Sequence, residues 1–423
     1  MRDDGPSSDG YVRRSPEGMR AGPSTELGTT LGAARRSAPS RDASVRWSLM
    51  FGNFVIGCGV MCVAGTLNDM AGSLNVSVAL AGQLITIAAA TMCFGAPLLA
   101  GWVAGFDRRR LLALSLIWYA AGHAISALMP SYAALWPVRA ITMLAAAVFT
   151  PQAAAAIGFM TPPEHRGRAI TFIFLGWSVA SVLGLPLSQW IGETYGWRSA
   201  FLVIAALGAL AAVWVYAVMP DGVRPAALSL RAWKQVLTHP ALMAMVMVTA
   251  LFGAGQFTLF SYFAPYYRLT LNASTEQITA LLACFGVFGL IGNIALSRMI
   301  DRVGPSTAVT FTTGLIAVSM LLWPLGTSVL SVGVILIPWA LGCFSSNSGQ
   351  QARLSLAAPA LAPALMALNT SAIYLGQAAG AASGGWLIAH GGYGPLNWVG
   401  LAWIIAAIAL SLWAGRQKIV APA

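Results

Sequence analysis

One arginine, Arg139, stands inside the long apolar stretch "WPVRAITMLAAAVFTPQAAAAIGFM" at residues 136–160. A guanidinium at the centre of a membrane helix costs roughly 2.5–3.5 kcal/mol on insertion scales, so Arg139 needs partners. Carboxylates would serve it best, but they lie elsewhere. Asp69, Asp107, Glu164, Glu193, Asp221, Glu276 and Asp301 fall in loops or at the ends of apolar stretches, and the remaining acids lie in the N-terminal tail. Backbone carbonyls, amides such as Asn53 and Gln152, cavity water, or an anionic or electron-rich substrate remain as partners. Only His123, in "WYAAGHAISAL", titrates near neutrality within an apolar stretch. Intramembrane charge generally faces a water-filled interior, so Arg139 is expected beside a cavity. The alternative is a fixed cation locking the fourth span to the first.

Other reactive side chains point to packing. Cys58, Cys62, Cys93, Cys284 and Cys343 all fall in apolar stretches, so no loop disulfide framework is expected. Cys58 and Cys62 share a helix face but have no His or acid nearby, and free cysteine packs as a small hydrophobe. With neither a nucleophile and its base nor a metal triad, an enzyme is not expected, and neither is a cofactor.

The elements that must hold these residues follow from composition. The 423 residues are 57% hydrophobic and 9% charged, against about a quarter charged in soluble chains. Twelve stretches are long enough to span a bilayer: near 47–67, 78–100, 111–129, 133–158, 169–191, 199–219, 242–265, 278–298, 306–325, 330–349, 364–388 and 396–415. The net charge of +11 is not a nucleic-acid signal, because its distribution is one-sided. Lys and Arg gather in the tails and in alternate loops, among them Arg108 to Arg110, Arg166, Arg168, Arg231, Lys234 and Arg353, while Arg198 and Arg268 stand on the other side. By the positive-inside rule both termini are expected in the cytoplasm.

Residues 1–46, rich in Arg, Ser, Gly and Pro without an apolar period, read as a disordered tail. The spans divide six and six, 47–219 and 241–415, around the linker 220–240, with a second tail at 416–423. In the linker Leu230, Trp233 and Leu237 share a helical face beside Arg231 and Lys234, which suits either a helix on the headgroups or a solvated connection. "CFGAPLLAG" (93–101) and "CFGVFGLIG" (284–292) recur in the second span of each half, the mark of parallel repeats about an axis along the membrane normal. Small residues repeat every fourth position in the fifth span, at Gly176, Ala180, Gly184, Ser188 and Gly192 with Pro186 between, and in the eleventh, at Gly376, Gly380 and Gly384. Such spacing lets helices approach closely in lipid and is expected to let the two halves rock past each other.

With "FVIGCGVMCVAGTLNDMA", "RGRAI" followed by "GWSVASVLGLPLSQWIGETYGWRSAF", "DRVG" and "QQARLSLAAPALAPALMALNTSAIYLGQAAGAASGG", the chain from 47 to 415 resembles the major facilitator superfamily. It is most similar to the twelve-span drug–proton antiporter branch and, within that, to arabinose-efflux-permease-like members. The resemblance implies an all-α membrane fold of twelve transmembrane helices in two six-helix bundles related by a pseudo-twofold axis. It also implies export of a small molecule by proton exchange from a bacterial inner membrane, by a monomer whose partners are substrate, lipid and protons. Arg139 falls on the family's fourth-helix arginine, and Gly184 with Pro186 on its fifth-helix Gly-Pro motif. Asp107 and Arg108, and Asp301 and Arg302, fall on the loops that latch the cytoplasmic side. Two departures stand out: Gly105 and Phe106 where Asp-Arg is usual in the first latch, and Gly59 and Val60 where many relatives carry a first-helix acid.

In the resembling fold the third helix is peripheral, so His123 is expected to be structural, with a part in proton coupling as the alternative. The cavity-lining spans supply Asn53, Gln152, Gln256, Tyr262, Asn347, Gln350 and Asn369. Such a set suits hydrogen bonding to neutral or weakly anionic substrates better than holding a cation. A uniporter or importer, or a non-transporting sensor of the same fold, are the alternative functions.

Overall fold

The computed structural model describes residues 39–224 and 229–417. Among these residues there are fifteen α-helices and no strand. In lipid each backbone group must find its partner within the chain, which a helix alone achieves for a single apolar segment. The first half runs α1 (Pro39–Gly65), α2 (Leu67–Ser73), α3 (Val78–Val103), α4 (Arg108–Leu128), α5 (Tyr132–Met160), α6 (Arg166–Tyr195) and α7 (Trp197–Val218). A linker helix, α8 (Leu230–Thr238), leads into α9 (Pro240–Phe260), α10 (Phe263–Thr270), α11 (Thr275–Val303), α12 (Pro305–Leu322), α13 (Val329–Ala357), α14 (Ala362–Gly391) and α15 (Leu396–Arg416). The first and seventh spans both break near their far ends, into α1–α2 and α9–α10, so the internal repeat reaches local geometry. Eleven helices are long and apolar enough to cross a membrane. The remaining stretch, 364–388, forms the 30-residue α14, whose run "GQAAGAASGG" makes it less apolar.

Residues 39–46, expected as tail, are instead helical and begin α1; the reading of 1–38 as disordered lies outside the described residues. In α8 the buried side chain is Val236, while Leu230 and Leu237 are exposed.

Within the first half α4 packs on α5 and α7, and α3 on α5; within the second, α9 packs on α14 and α15, and α12 on α13 and α15. The halves meet where α11 lies on α6 and α14 lies on α3. The small-residue stripes do not form that meeting surface, contrary to expectation. A Cβ on Gly176 would come within 2.2 Å of the Met50 carbonyl, and one on Gly184 within 3.2 Å of Cys58 Sγ, so the α6 stripe packs on α1. Cβ atoms on Gly376, Gly380 and Gly384 would meet the carbonyls of Ala250, Ala254 and Thr258 at 2.3–2.4 Å, so the α14 stripe packs on α9. Helical spacing sets which residues share a face; it does not set which helix that face meets.

Charged side chains largely serve helix ends. Arg108 donates to the carbonyls of Val103 and Ala104 at 3.0 Å, Arg109 to Tyr216 at 2.6 Å, Arg166 to Thr161 at 2.9 Å and Arg198 to Met129 at 3.0 Å. Each satisfies a helix C-terminus, where a cation also suits the dipole. Arg353 was expected in a loop. It lies buried in the last turns of α13 and donates to the Ser411 carbonyl of α15 at 2.9 Å. The polar run "NSGQQAR" looks like a loop in sequence but stays helical because it is buried between helices.

Candidate functional site

Arg139 lies two turns into α5 and is 1% exposed. Its Nη2 donates to the Gly59 carbonyl of α1 at 2.8 Å, and its Nη1 is 3.1 Å from His123 Nε2 on α4. The guanidinium sits 5.9 Å from the Phe201 ring centre of α7. His123 Nδ1 is 2.9 Å from the Tyr119 carbonyl, which can only accept. That contact fixes the ring hydrogen on Nδ1 and leaves Nε2 as an acceptor. Arg139 is thus held by a backbone carbonyl and an imidazole, and not by the amide oxygens of Asn53 and Gln152.

Gly59 explains why no acid stands there. A Cβ at this position would lie 2.2 Å from Tyr119 Oη and 2.8 Å from His123 Nε2. Two rings of α4 fill the space a first-helix side chain would take. Tyr119 Oη in turn donates to the Ile56 carbonyl at 2.9 Å. His123, expected as a peripheral structural residue, is therefore a direct partner of Arg139. The sequence signal for it was present, a polar residue in an apolar span, but its tertiary neighbour was not readable.

The corresponding helices of the second half carry a different node. Trp339 of α13 donates from Nε1 to Gln256 Oε1 of α9 at 3.1 Å, and its backbone N–H donates to Ser319 Oγ of α12 at 2.8 Å. Aromatic rings surround it, with Phe263, Phe285 and Trp323 centred 5.2–6.2 Å away.

The remaining amides divide into donors that are used and oxygens that are not. Asn53 Nδ2 donates to the Ile173 carbonyl at 3.2 Å, and Gln350 Nε2 donates to that of Met245. Those bonds fix the amide orientations, and the protein supplies no partner for Asn53 Oδ1 or Gln350 Oε1. The oxygens of Gln152, Asn347 and Gln351 are likewise buried without a protein partner. Asn369 Oδ1 accepts from Thr249 at 2.5 Å, and its Nδ2 has no protein partner. Tyr262, at the α9–α10 break, donates to the Ala381 carbonyl at 2.6 Å.

The two loop acids behave differently. Asp301 of α11 accepts from the Arg168 backbone N–H of α6 at 3.1 Å, across the halves and at a helix N-terminus. Asp107 caps its own helix through Arg110 N–H at 3.3 Å and accepts from Gly222 N–H at 2.8 Å. Arg108 is buried and Arg302 exposed. Gly184 packs on Cys58, and Pro186 lies within α6. Two further contacts join the halves: Asn293 donates to Ser178 at 2.7 Å, and Ser371 donates to the Cys93 carbonyl. Asn293 was missed in sequence although its polar side chain in an apolar span marks it. A cavity of about 160 Å³ at the far ends of α1 and α6, lined by Asn68, Asp69, Gln189 and Glu193, includes none of the expected substrate residues.

The cysteines are free, and among the described residues no three His, Cys, Asp or Glu side chains group as a metal site. Residues 49–362 match the Major Facilitator Superfamily, and the chain belongs to that family. It is 29% identical over 366 residues to the inner membrane transport protein YdhP of Escherichia coli K12, covering 86% of this chain and 94% of that one. An uncharacterised MFS-type transporter of Bacillus subtilis 168, YbcL, is 28% identical over 364 residues, covering 85% and 93%. Among solved structures, the human organic anion transporter MFSD10 (TETRAN) superposes with a TM-score of 0.70 at 16% identity, covering 89% of this chain and 100% of that one. The proton:xylose symporter XylE does so with 0.69 at 17%, covering 88% and 95%. The chain is a multi-pass membrane transport protein, not an enzyme.

Proposed function

We propose that the protein is a secondary active transporter that exports a small neutral or weakly anionic polar molecule by alternating access. The observation that carries this is the set of buried amide oxygens on Asn53, Gln152, Asn347 and Gln350 for which the protein supplies no partner. A buried acceptor left unpaired costs about 1–3 kcal/mol, and hydroxyl or N–H groups of a hydrated substrate would remove that cost. Arg139, Gln256, Tyr262 and Asn369 complete the proposed substrate set. Bundles 47–219 and 241–415 would rock about the linker 220–240, with Asp107, Arg108, Asp301 and Arg302 at the latches and Gly184 and Pro186 in the packing.

Export, proton antiport, the drug–proton antiporter branch, a monomeric state and an inner-membrane setting with cytoplasmic termini complete the proposal. They rest on the family resemblance and the one-sided basic charge. Uptake into proteoliposomes of labelled monosaccharides, nucleosides, amino acids and lipophilic cationic dyes, with and without an uncoupler, tests it. Movement of a neutral or anionic compound that the uncoupler abolishes is the expected result. Flux unaffected by the uncoupler indicates a uniporter, and transport of cationic dyes alone overturns the substrate class.

A further inference from the structure

Building on that transport reading, we propose that His123 is the proton-binding residue of the transport cycle and that its protonation and its bond to Arg139 exclude one another. The ring has one free place for a proton. Nδ1 already carries its hydrogen toward the Tyr119 carbonyl, and Nε2 presents a lone pair into which Arg139 Nη1 donates at 3.1 Å. A proton arriving at Nε2 occupies that lone pair and ends the bond. It also sets an imidazolium against a guanidinium, and like charges at such a distance repel far more strongly in protein than in water. Docked Arg139 and a charged ring therefore belong to different conformations. One proton enters from water, resides on Nε2 and leaves again; nothing else is transferred.

Of the side chains gathered here, the ring is the one whose ordinary titration range lies between pH 5 and 8. On its own helix stands Tyr119, and from α5 comes Arg139. From α1 come the Gly59 backbone and the Cys58 and Cys62 thiols, and from α14 comes Tyr374. The α7 neighbour is the Phe201 ring, centred 5.6 Å from that of His123. None of these is an acid, and free thiols and phenols ordinarily titrate near 8.5 and 10.

Release of Arg139 also has a mechanical route outward. It removes the hydrogen bonds that tie α5 to the His123 ring of α4 and to the Gly59 carbonyl of α1, and α5 itself touches α13 and α14 of the other half. A switch of this kind needs two discrete arrangements of a packed element, each favoured by one state of charge.

Ring-15N-histidine NMR of the full-length protein in nanodiscs, from pH 8 to pH 5, reads the proton directly. His123 is identified by the signal lost in His123→Gln, with His165, His239 and His390 as internal references. The expected result is protonation of Nε2 together with a shift of the Arg139 guanidinium signal over the same interval. A ring that keeps one tautomer throughout, or titrates while Arg139 stays unchanged, overturns the assignment. In proteoliposomes, for whichever compound the wild-type protein carries, the ratio of flux with a pH gradient to flux without one should fall to unity in His123→Gln, whose amide accepts from Arg139 but holds no proton. A ratio unchanged from wild type overturns it as well. If the wild-type protein carries none of the compounds, the transport reading fails, and the ring titration still decides the proton site on its own.

Discussion

The third and fourth spans of the first half and their counterparts in the second solve one packing problem in two ways. In the first half a guanidinium bridges three helices through Gly59 and His123; in the second Trp339 does so, its indole bonding Gln256 and its backbone N–H bonding Ser319. The indole node is neutral, and its rings fill their own space. The guanidinium node carries a net charge that only neutral acceptors meet, in a setting where a charge is expensive. A repeat that keeps its helices while exchanging one node for another separates what holds the fold from what does work.

Arg139→Leu should produce the largest effect. It removes two hydrogen bonds to a charged group, each worth about 1.5–3 kcal/mol, and flux should fall at least about tenfold although the protein still inserts. Undiminished flux would reduce the first node to a packing device like the second. Gly59→Ala comes next. The new methyl has Tyr119 and His123 in its place, and overpacking of this kind costs about 1–3 kcal/mol, to be read as a lowered thermal midpoint and reduced flux. Trp339→Phe should matter less. It keeps a ring among rings but leaves Gln256 Oε1 without its donor, about 1–3 kcal/mol, so stability drops with transport retained. Equal loss of flux in Trp339→Phe and Arg139→Leu would erase the contrast between the halves.

The smallest effect distinguishes the latches. A carboxylate at a helix N-terminus is worth about 0.3–1 kcal/mol, so Asp301→Asn should change the balance of open and closed forms about two- to fivefold, measured by thiol labelling at engineered positions along α6 and α11. Asp107→Asn, whose partners lie at Arg110 and Gly222, should change stability and leave that labelling as it was.

The all-helical membrane fold was legible because length of apolar run and position of charge are properties of the string, and eleven of the expected stretches are, among the described residues, helices long and apolar enough to span. Membership of the family was legible from several motifs in order. The partners of Arg139 were legible only in part: backbone carbonyls and a lock to the first span were among the alternatives, but His123 was not. One is a backbone carbonyl, which no residue letter encodes, and the other is a histidine whose helix was expected at the periphery. Arg353 was misplaced because a polar run reads as a loop until its burial is known. The stripes on α6 and α14 were read with the right period and the wrong neighbour.

Those stripes have a mechanical consequence. Where backbone lies on backbone there are no rotamers to exchange, so the seams of α6 with α1 and of α14 with α9 behave as welds. In the proposed alternating-access cycle, strain would then fall on the contacts of α6 with α11 and of α3 with α14. Asp301, Asn293 and Ser371 would be the yield points of that cycle, and small changes there should alter how often it turns over more than what it recognises.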